Sequence, residues 1–491
     1  MFSRSVVLLR SMLLLGMGGL LCSWTMALAE ERTVLILHTN DFHDHVRPGY
    51  GGQGGLPYVA GYISGVRETR DDILLLDAGD VREKGDWVAH LTEGELMFRA
   101  MGVIGYDAVV PGNHDVNDPF PHLDQCEEWL GQPFICANII NPDGSPRYLP
   151  SRIFEVNGVR IGVIGLTRND KGEAIPPMDF SERVLAEEAA KLKDDTHILV
   201  ALVHEGGMDA VRLSRAAPEI DIFVTGHTHQ TTPKPMVLED TDTLMVQAGA
   251  NALFVGRLEL TVDIESGQIV SYEGEIVPMD HASVTPDPVV LAMVEEAEAE
   301  LCPEASVVIA RSDRQIGMAE VAQLAAEALR EAHGTDLGLC MADRVIRNNM
   351  PEGEIDINAV FRSITPPALD TVTVEVTGAE LLAYLTEYYG TWERPHWSGA
   401  NIVFERGPDR AHRVASTDID PERTYRAAIT AREWEARLSP FVANPRVEPQ
   451  AITTDLALRR YIKGLELDGE PLCEHASLML EAATAPLAEA R

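Results

Sequence analysis

Five short polar clusters, each at the end of an apolar run in the first half of the chain, constrain its fold more than any other feature. They are Asp41 with His43, Asp80, Asn113 with His114, His204, and His227 with His229. The runs before them are Val34 to Leu37, Ile73 to Leu76, Ala108 to Val110, Ile198 to Val203 and Ile220 to Val224, with the length and composition of buried strands. A lone His or Asp after a strand is ordinarily a loop residue or a helix cap. Five such clusters in series predict a layered α/β domain whose strand ends gather ligand and catalytic groups.

Carboxylate, imidazole and amide side chains together supply the oxygen and nitrogen ligands of a two-metal hydrolytic site. A metal pair lowers the pKa of a bound water, orients an ester and neutralises charge on a transferring phosphoryl group. The strand end Asp77, Ala78, Gly79, Asp80 makes Asp80 the candidate bridge between the metals, with Asp77 structural. Asp41 and His43 are two residues apart, so in an extended segment they face the same way and grip one metal. His227 and His229 have the same spacing, but as loop residues they are expected to diverge to different metals. The donor set suits Mn, Zn, Fe or Co, so two divalent ions are expected without a choice among them.

Helical patterns separate the apolar runs from Thr33 to about Val284, as expected for stacked β and α layers. Thr92 with Glu95 predicts a capping box for the helix that follows. The Gly-rich stretch from Gly49 to Gly55 lacks a Gly-Lys-Ser/Thr ending and predicts a flexible loop, not a phosphate cradle. Phe254 to Ile264, ending at Ser266 and Gly267, predicts a hairpin arm. Pro286, Asp287 and Pro288 open an amphipathic connecting helix. The expected division is a first domain over residues 30–284, a connecting helix over 285–302 and a smaller α+β domain over 303–480. In the latter, Ala319 to Glu331 predicts a helix stopped at Gly334, Thr371 to Val376 a strand, and Ala379 to Tyr388 a second helix.

Arg4 and Arg10, the apolar stretch Leu13 to Leu21 and the small-residue pattern Ala27, Leu28, Ala29 predict an export signal cleaved after Ala29, residues 1–29. A periplasmic or secreted protein without a stable membrane anchor is expected. Cys126, Cys136, Cys302, Cys340 and Cys473 remain after cleavage. They are too scattered for a disulfide scaffold, and Cys126 with Cys136 is the one close pair. Acidic residues number 77 against 40 basic ones, a formal net charge of -37, which disfavours a nucleic-acid polymer as partner. The expected partner is a small phosphate ester, and oligomeric state is left open.

The ordered series of these blocks, opening with Leu37, His38, Thr39, Asn40, Asp41, Phe42, His43, resembles the secreted 5′-nucleotidase family of calcineurin-like metallophosphoesterases. Ala322 to Arg330, Gly334, Asp336, Ile346 with Arg347, Pro351, Gly353, Val376 to Gly378 and Ser398 with Gly399 extend the resemblance through the second half. It implies a four-layer α/β metallophosphoesterase sandwich followed by a smaller α+β C-terminal domain that sets substrate choice, with rotation between the two and the connecting helix as hinge. It implies one metal on Asp41, His43, Asp80 and His229 and a second on Asp80, Asn113, His204 and His227. His114 would then stand beside the scissile phosphate, stabilising the transition state or protonating the leaving group.

The chain departs from that pattern in two places. The family orients its catalytic histidine with an Asp three residues on, where this chain has Asn117 flanked by Asp115 and Asp118, so Asn117, Asp115 or Asp118 is the expected orienting group. The segment expected to carry a base-stacking Phe and a base-bonding Asn reads Pro366, Pro367, Ala368, Leu369, and no second stacking segment follows. Stacking is worth about 1–3 kcal/mol per base, so nucleotide selectivity is weakened while phosphate chemistry is kept. Arg311, Arg314, Arg344 and Arg347 form a candidate anion-binding cluster. Tyr388, Tyr389, Trp392, His396 and Trp397 form either an alternative stacking surface or core. A dimetal phosphohydrolase acting on nucleotides or related phosphomonoesters is the leading expectation. A sulfate thiol hydrolase-like enzyme of thiosulfate oxidation and a non-catalytic metal-bound binding protein are the alternatives.

Overall fold

The computed structural model describes residues 30–484, apart from 118–119, 169–176, 239, 365–368, 466 and 468. The expected signal over 1–29, Asp118, and Pro366 to Ala368 lie outside the described residues. The chain begins with β1 (Glu31–Thr39), α1 (Leu56–Arg67), β2 (Ile73–Asp77), α2 (Trp87–Leu91), α3 (Glu95–Ile104), β3 (Ala108–Val109) and α4 (Phe120–Leu130). It continues through β4 (Ser151–Val156), β5 (Val159–Leu166), α5 (Met178–Leu192), β6 (Ile198–Val203), α6 (Gly207–Ala216) and β7 (Ile222–Thr225). The short β8 (Met236–Leu238) and β9 (Thr243–Val246) precede the hairpin of β10 (Phe254–Asp263) and β11 (Gln268–Pro278), and α7 (Pro288–Leu301) follows.

Two sheets result, in the orders β11-β10-β1-β2-β3 and β4-β5-β6-β7-β9-β8. Strands β1, β2 and β3 run parallel, as do β5, β6, β7 and β9, so their carboxyl ends gather on one edge of each sheet. The period-two alternation of side chains decides how the layers stack. Val163, Val200, Leu202 and Val224 share one core with Leu35, Leu75 and Leu258 of the other sheet. Ile164, Leu199, Ala201, Val203 and Phe223 instead meet Leu185, Ala189, Ala210 and Leu213 of α5 and α6. The outer face of the first sheet is covered by α1, α3 and α7, completing the expected four layers. Each fully buried aliphatic side chain here contributes about 1.5–3 kcal/mol of transfer free energy.

The second half is α+β, as expected. Its sheet orders Pro395–Ser398, Leu337–Met341, Thr424–Thr430, Thr371–Thr377 and Arg446–Gln450, with one parallel pairing among antiparallel ones. The helix Met318–His333 packs Val321, Leu324, Ala325 and Leu329 onto it and stops at Gly334, which holds the left-handed φ of 58° that a helix end favours. Asp287 caps α7 by accepting from the backbone N–H groups of Val289 and Val290.

Three local expectations are corrected. The capping box is absent from α3: Thr92 is the C-terminal cap of α2, and Gly94, with φ 91°, turns the chain into Glu95, which pairs with Arg99. The box occurs instead at Thr377 and Glu380, where each side chain accepts from the other residue's backbone N–H. The close pair Cys126 and Cys136 forms no disulfide, and both are buried, as are Cys302, Cys340 and Cys473. The Gly-rich stretch is not a loose loop. Tyr50–Gly52 forms a short 3-10 turn, and the Tyr50 hydroxyl donates to Asp356 at 2.5 Å in the second half of the chain.

That contact belongs to a polar seam between the two halves. Asn358, fully buried, donates to Asp86 at 2.9 Å and accepts from the Trp87 backbone N–H at 2.8 Å. Arg47 reaches Glu298 at 2.6 Å and Asp356 at 3.4 Å. Asn348 donates to the Lys84 carbonyl at 3.2 Å.

Candidate metal centre

Two His/Asp groups gather where the parallel strands of both sheets end: Asp41, His43 and His229, and Asp80, His204 and His227. In the first, His43 Nε2 lies 3.0 Å from His229 Nε2 and 3.6 Å from Asp41 Oδ1, and His229 Nε2 lies 3.3 Å from Asp41 Oδ1. In the second, His204 Nε2 lies 3.2 Å from Asp80 Oδ2 and 3.1 Å from Asn113 Oδ1, which is 3.0 Å from His227 Nδ1. Asp80 Oδ2 is also 3.7 Å from His43 Nε2, so one carboxylate oxygen faces both groups.

Backbone carbonyls set the imidazole tautomers. His43 Nδ1 donates to the Arg82 carbonyl at 3.2 Å and His204 Nδ1 to the Ala78 carbonyl at 2.7 Å. Each ring therefore turns Nε2 inward, the orientation a metal-ligating histidine takes. Asp41 Oδ2 accepts from the His227 backbone N–H at 2.9 Å, while Asp41 Oδ1 is buried with no hydrogen-bond partner. Burial opposes protonation of His204, yet Asp80 beside it raises the imidazole to about 10. An orphaned carboxylate oxygen, converging ring nitrogens and a buried imidazole whose inward nitrogen holds a proton where no cation is bound all mark places for cations, so the residues fit a pair of divalent ions.

The expected local geometry of Asp41 and His43 is corrected. They are not in an extended segment: both have left-handed φ, 53° and 48°, as do Asp80, His227 and His229. Asp and His tolerate that region better than most residues, and strain of this kind concentrates at functional sites. His227 and His229 diverge into different groups. Gly112 permits the approach of the next loop, since a Cβ there would lie 2.2 Å from Asp80.

His114 is held by residues that the sequence reading did not select. Its Nδ1 lies 2.5 Å from Glu83 Oε2, and Lys84 Nζ lies 2.7 Å from its Nε2. Its backbone N–H donates to Asp80 Oδ1 at 2.8 Å. Glu83 and Lys84 sit in left-handed conformations, with φ 67° and 81°, and Asp44 accepts from the Glu83 N–H at 2.7 Å. Gly85 lets this loop press onto the backbone of His43 and Asp44, where a Cβ would meet the His43 carbonyl at 2.2 Å. Burial lowers the Lys84 ammonium to about 8; Asp80 opposes this and Arg347 adds to it.

Glu83, and neither Asp115 nor Asn117, faces His114 Nδ1, so these two expectations are corrected, while Asp118 lies outside the described residues. Asp115 is buried and accepts from the N–H groups of Gly112, Arg82 and Val81, so it ties two ligand loops together. Burial, with Asp80 nearby, raises its carboxyl to about 6. Asn117 is exposed at the end of a 3-10 turn, its backbone N–H donating to the His114 carbonyl at 3.3 Å. Asp77 accepts from Thr39 at 2.6 Å and from the Gly79 N–H at 2.9 Å, a structural role as expected.

The arginine cluster also disperses. Arg311 pairs with Glu354, Arg314 with Glu320 and Ser477, and Arg344 with Glu393. Arg347 alone of the four lines the cavity between the two halves of the chain. Among the aromatics, Tyr389 stacks on Phe404 with centroids 4.0 Å apart, and Trp397 and His396 are buried. Trp392 is exposed, with Arg344 5.2 Å from its ring centroid.

Residues 34–231 match the calcineurin-like phosphoesterase family, and residues 297–431 match the 5′-nucleotidase C-terminal domain family. Protein UshA of Yersinia enterocolitica is 25% identical over 480 residues, covering 82% of this chain and 86% of that protein. A 5′-nucleotidase precursor of Thermus thermophilus shares the fold with a TM-score of 0.71 and 22% identity, covering 88% of this chain and 96% of that one. The sulfate thiohydrolase SoxB of the same organism shares it too, with a TM-score of 0.67 and 18% identity, covering 88% of this chain. One fold thus carries proteins named for two different esters, and substrate has to be read from side chains.

Proposed function

Since this chain belongs to the 5′-nucleotidase family of metal-dependent phosphoesterases, we propose that it is an exported hydrolase of small phosphate monoesters, nucleotides among them. The observation that supports this most directly is the placing of Glu83, His114 and Lys84 beside the paired His/Asp groups that share Asp80. Asp41, His43, Asp80 and His229 would hold one divalent ion, and Asp80, Asn113, His204 and His227 the other. When bound, the pair supplies an acidified water and neutralises charge on the phosphoryl oxygens.

The chain's own groups perform the rest. Hydrolysis joins a water oxygen to phosphorus and breaks the bond from phosphorus to the leaving oxygen. Glu83 accepts from His114 Nδ1 and so stabilises the charged imidazolium and fixes its orientation. Lys84 Nζ donates to His114 Nε2, and the proton shared between these two nitrogens passes to the leaving oxygen, which departs as an alcohol. Lys84 Nζ shares that corner and places a cation where negative charge develops on the transferring group. Arg347, on the cavity wall beside Lys84, would hold the substrate.

The chain's net negative charge makes these local cations the feature that attracts an anionic ester. The leader pattern of residues 1–29 supports export. Turnover of p-nitrophenyl phosphate by the full chain loaded with Mn²⁺ or Zn²⁺ tests the proposal. His114→Ala is expected to lower kcat by about 10²–10⁴-fold, the usual contribution of a positioned acid or base. A protein that binds two ions yet releases phosphate from no ester overturns the reading.

A further inference from the structure

A cavity of about 290 Å³ opens beside the metal centre, between the two halves of the chain. It abuts the site directly. His45 on its wall follows His43 by two residues, the Asn251 backbone N–H donates to the Asp41 carbonyl at 2.7 Å, and Asn348 contacts the Lys84 loop. The cavity therefore adjoins the loops that carry Asp41, His43 and Lys84.

The wall has an unusual composition for so acidic a chain. Arg47, Arg347 and Arg362 line it, and among the described residues no Asp or Glu does. Arg47 is balanced from behind by Glu298 and Asp356. Arg362 stands 3.6 Å from Asp86, which is already occupied by Asn358 and the Arg47 backbone N–H. Besides His45 and Tyr50, the remaining polar lining is amide: Gln53, Asn251, Gln315, Asn348 and Asn349.

His45 supplies an independent sign that a ligand belongs here. Its Nδ1 faces the carbonyls of Phe42 and His43 at 3.0 and 2.9 Å, so Nδ1 carries the hydrogen. Nε2 is therefore a lone pair, and it is buried without a hydrogen-bond partner. A buried acceptor of this kind, directly behind a wall that carries three guanidinium groups, is satisfied by a small donor such as a hydroxyl.

Nothing in the lining can sandwich a base. Tyr50 is its only aromatic ring among the described residues; the Arg362 guanidinium lies over that ring at 5.0 Å, and its hydroxyl is committed to Asp356. The undescribed residues Thr365, Pro366, Pro367 and Ala368 carry no aromatic ring either.

We propose that the cavity selects a leaving group that carries a second anion on a hydroxylated carbon chain, and that it discriminates against a nucleoside. Arg347 and Arg362 take the anion, a phosphate or a carboxylate, and His45 Nε2 accepts from a hydroxyl. This rests on the phosphohydrolase reading above.

The test compares kcat/KM of the metal-loaded full chain for fructose 1,6-bisphosphate, 3-phosphoglycerate, AMP and p-nitrophenyl phosphate. The first two separate phosphate from carboxylate as the second anion. At least one of them is expected to exceed AMP by about tenfold or more, and Arg362→Met to remove that advantage, chiefly through KM, as loss of a charge-assisted hydrogen bond does. His45→Phe is expected to narrow the same ratio, and it serves where Arg362→Met fails to fold. Turnover of the aryl phosphate together with an equal or greater preference for AMP overturns the proposal while leaving the phosphohydrolase reading intact. Calorimetric binding of ribose 5-phosphate against adenosine reads the cavity even without turnover. Tighter binding of adenosine, or ribose 5-phosphate binding unchanged in both variants, also overturns it.

Discussion

His114 Nδ1 lies 2.5 Å from Glu83 Oε2, a carboxylate from a different loop that takes the place expected of a residue just after the histidine. Glu83→Gln keeps the shape of the side chain but removes the charge that stabilises an imidazolium. Steady-state kinetics on p-nitrophenyl phosphate should show kcat lowered by about 10- to 100-fold with KM little changed, the scale seen when a group that orients a working histidine is lost. Asn117→Ala should leave kcat within about twofold, since both His114 ring nitrogens already face Glu83 and Lys84.

Lys84 gives the rate a pH dependence. Its ammonium, lowered by burial to about 8, is charged below that pH and neutral above it. A cation that assists the reaction is thus lost as pH rises through about 8, and kcat/KM should fall on that limb. Lys84→Gln should lower the plateau and abolish the limb; a limb that persists in the variant removes Lys84 from the explanation.

The two metal positions differ in exposure. The His229 side chain is 42% exposed, whereas Asp80 and His204 are buried. Graded chelation should therefore release one equivalent before the other, as read by elemental analysis after gel filtration. His229→Ala should bind one equivalent while keeping the fold.

Asp77 makes stability depend on pH. Burial raises its carboxyl from 3.8 to about 8, so between those values the folded chain holds a proton that the unfolded chain has released. Stability from this group is greatest at low pH and declines as pH rises from about 4 to about 8. Asp77→Asn lacks the decline, so its melting temperature relative to the parent should increase across that window under matched metal conditions.

Asn358 joins the two halves of the chain through Asp86 and the Trp87 N–H. Asn358→Ala leaves the Trp87 N–H without its partner and takes one donor from Asp86, at a cost of about 1–3 kcal/mol. Limited proteolysis between the halves should accelerate, and kcat and KM should change together because the cavity lies in the same seam.

Much of the fold was legible because strand period and strand-end chemistry are local. Runs such as Ile198 to Val203 are strands at their expected bounds, and the ligand-type residues after them converge because parallel strands end on one edge. The backbone path of Asp41 and His43 was not legible, because left-handed φ at Asp or His leaves no periodic trace. The arginine cluster failed for a general reason. In a chain with 77 acidic residues, an arginine usually finds a carboxylate nearby, as Arg311, Arg314 and Arg344 do. Glu83 and Lys84 left one faint signal, a charged pair before a glycine within a ligand loop.

By itself the sequence determined a layered α/β domain, the five clusters and their order, and an α+β second half. Periodicity and donor chemistry are properties of neighbouring residues. Only the tertiary structure decided which carboxylate orients His114, which of four arginines reaches the cavity, and that His45, on its wall, keeps a buried lone pair without a partner. Those are contacts between segments far apart in sequence, set by how two sheets and a second domain close on one another.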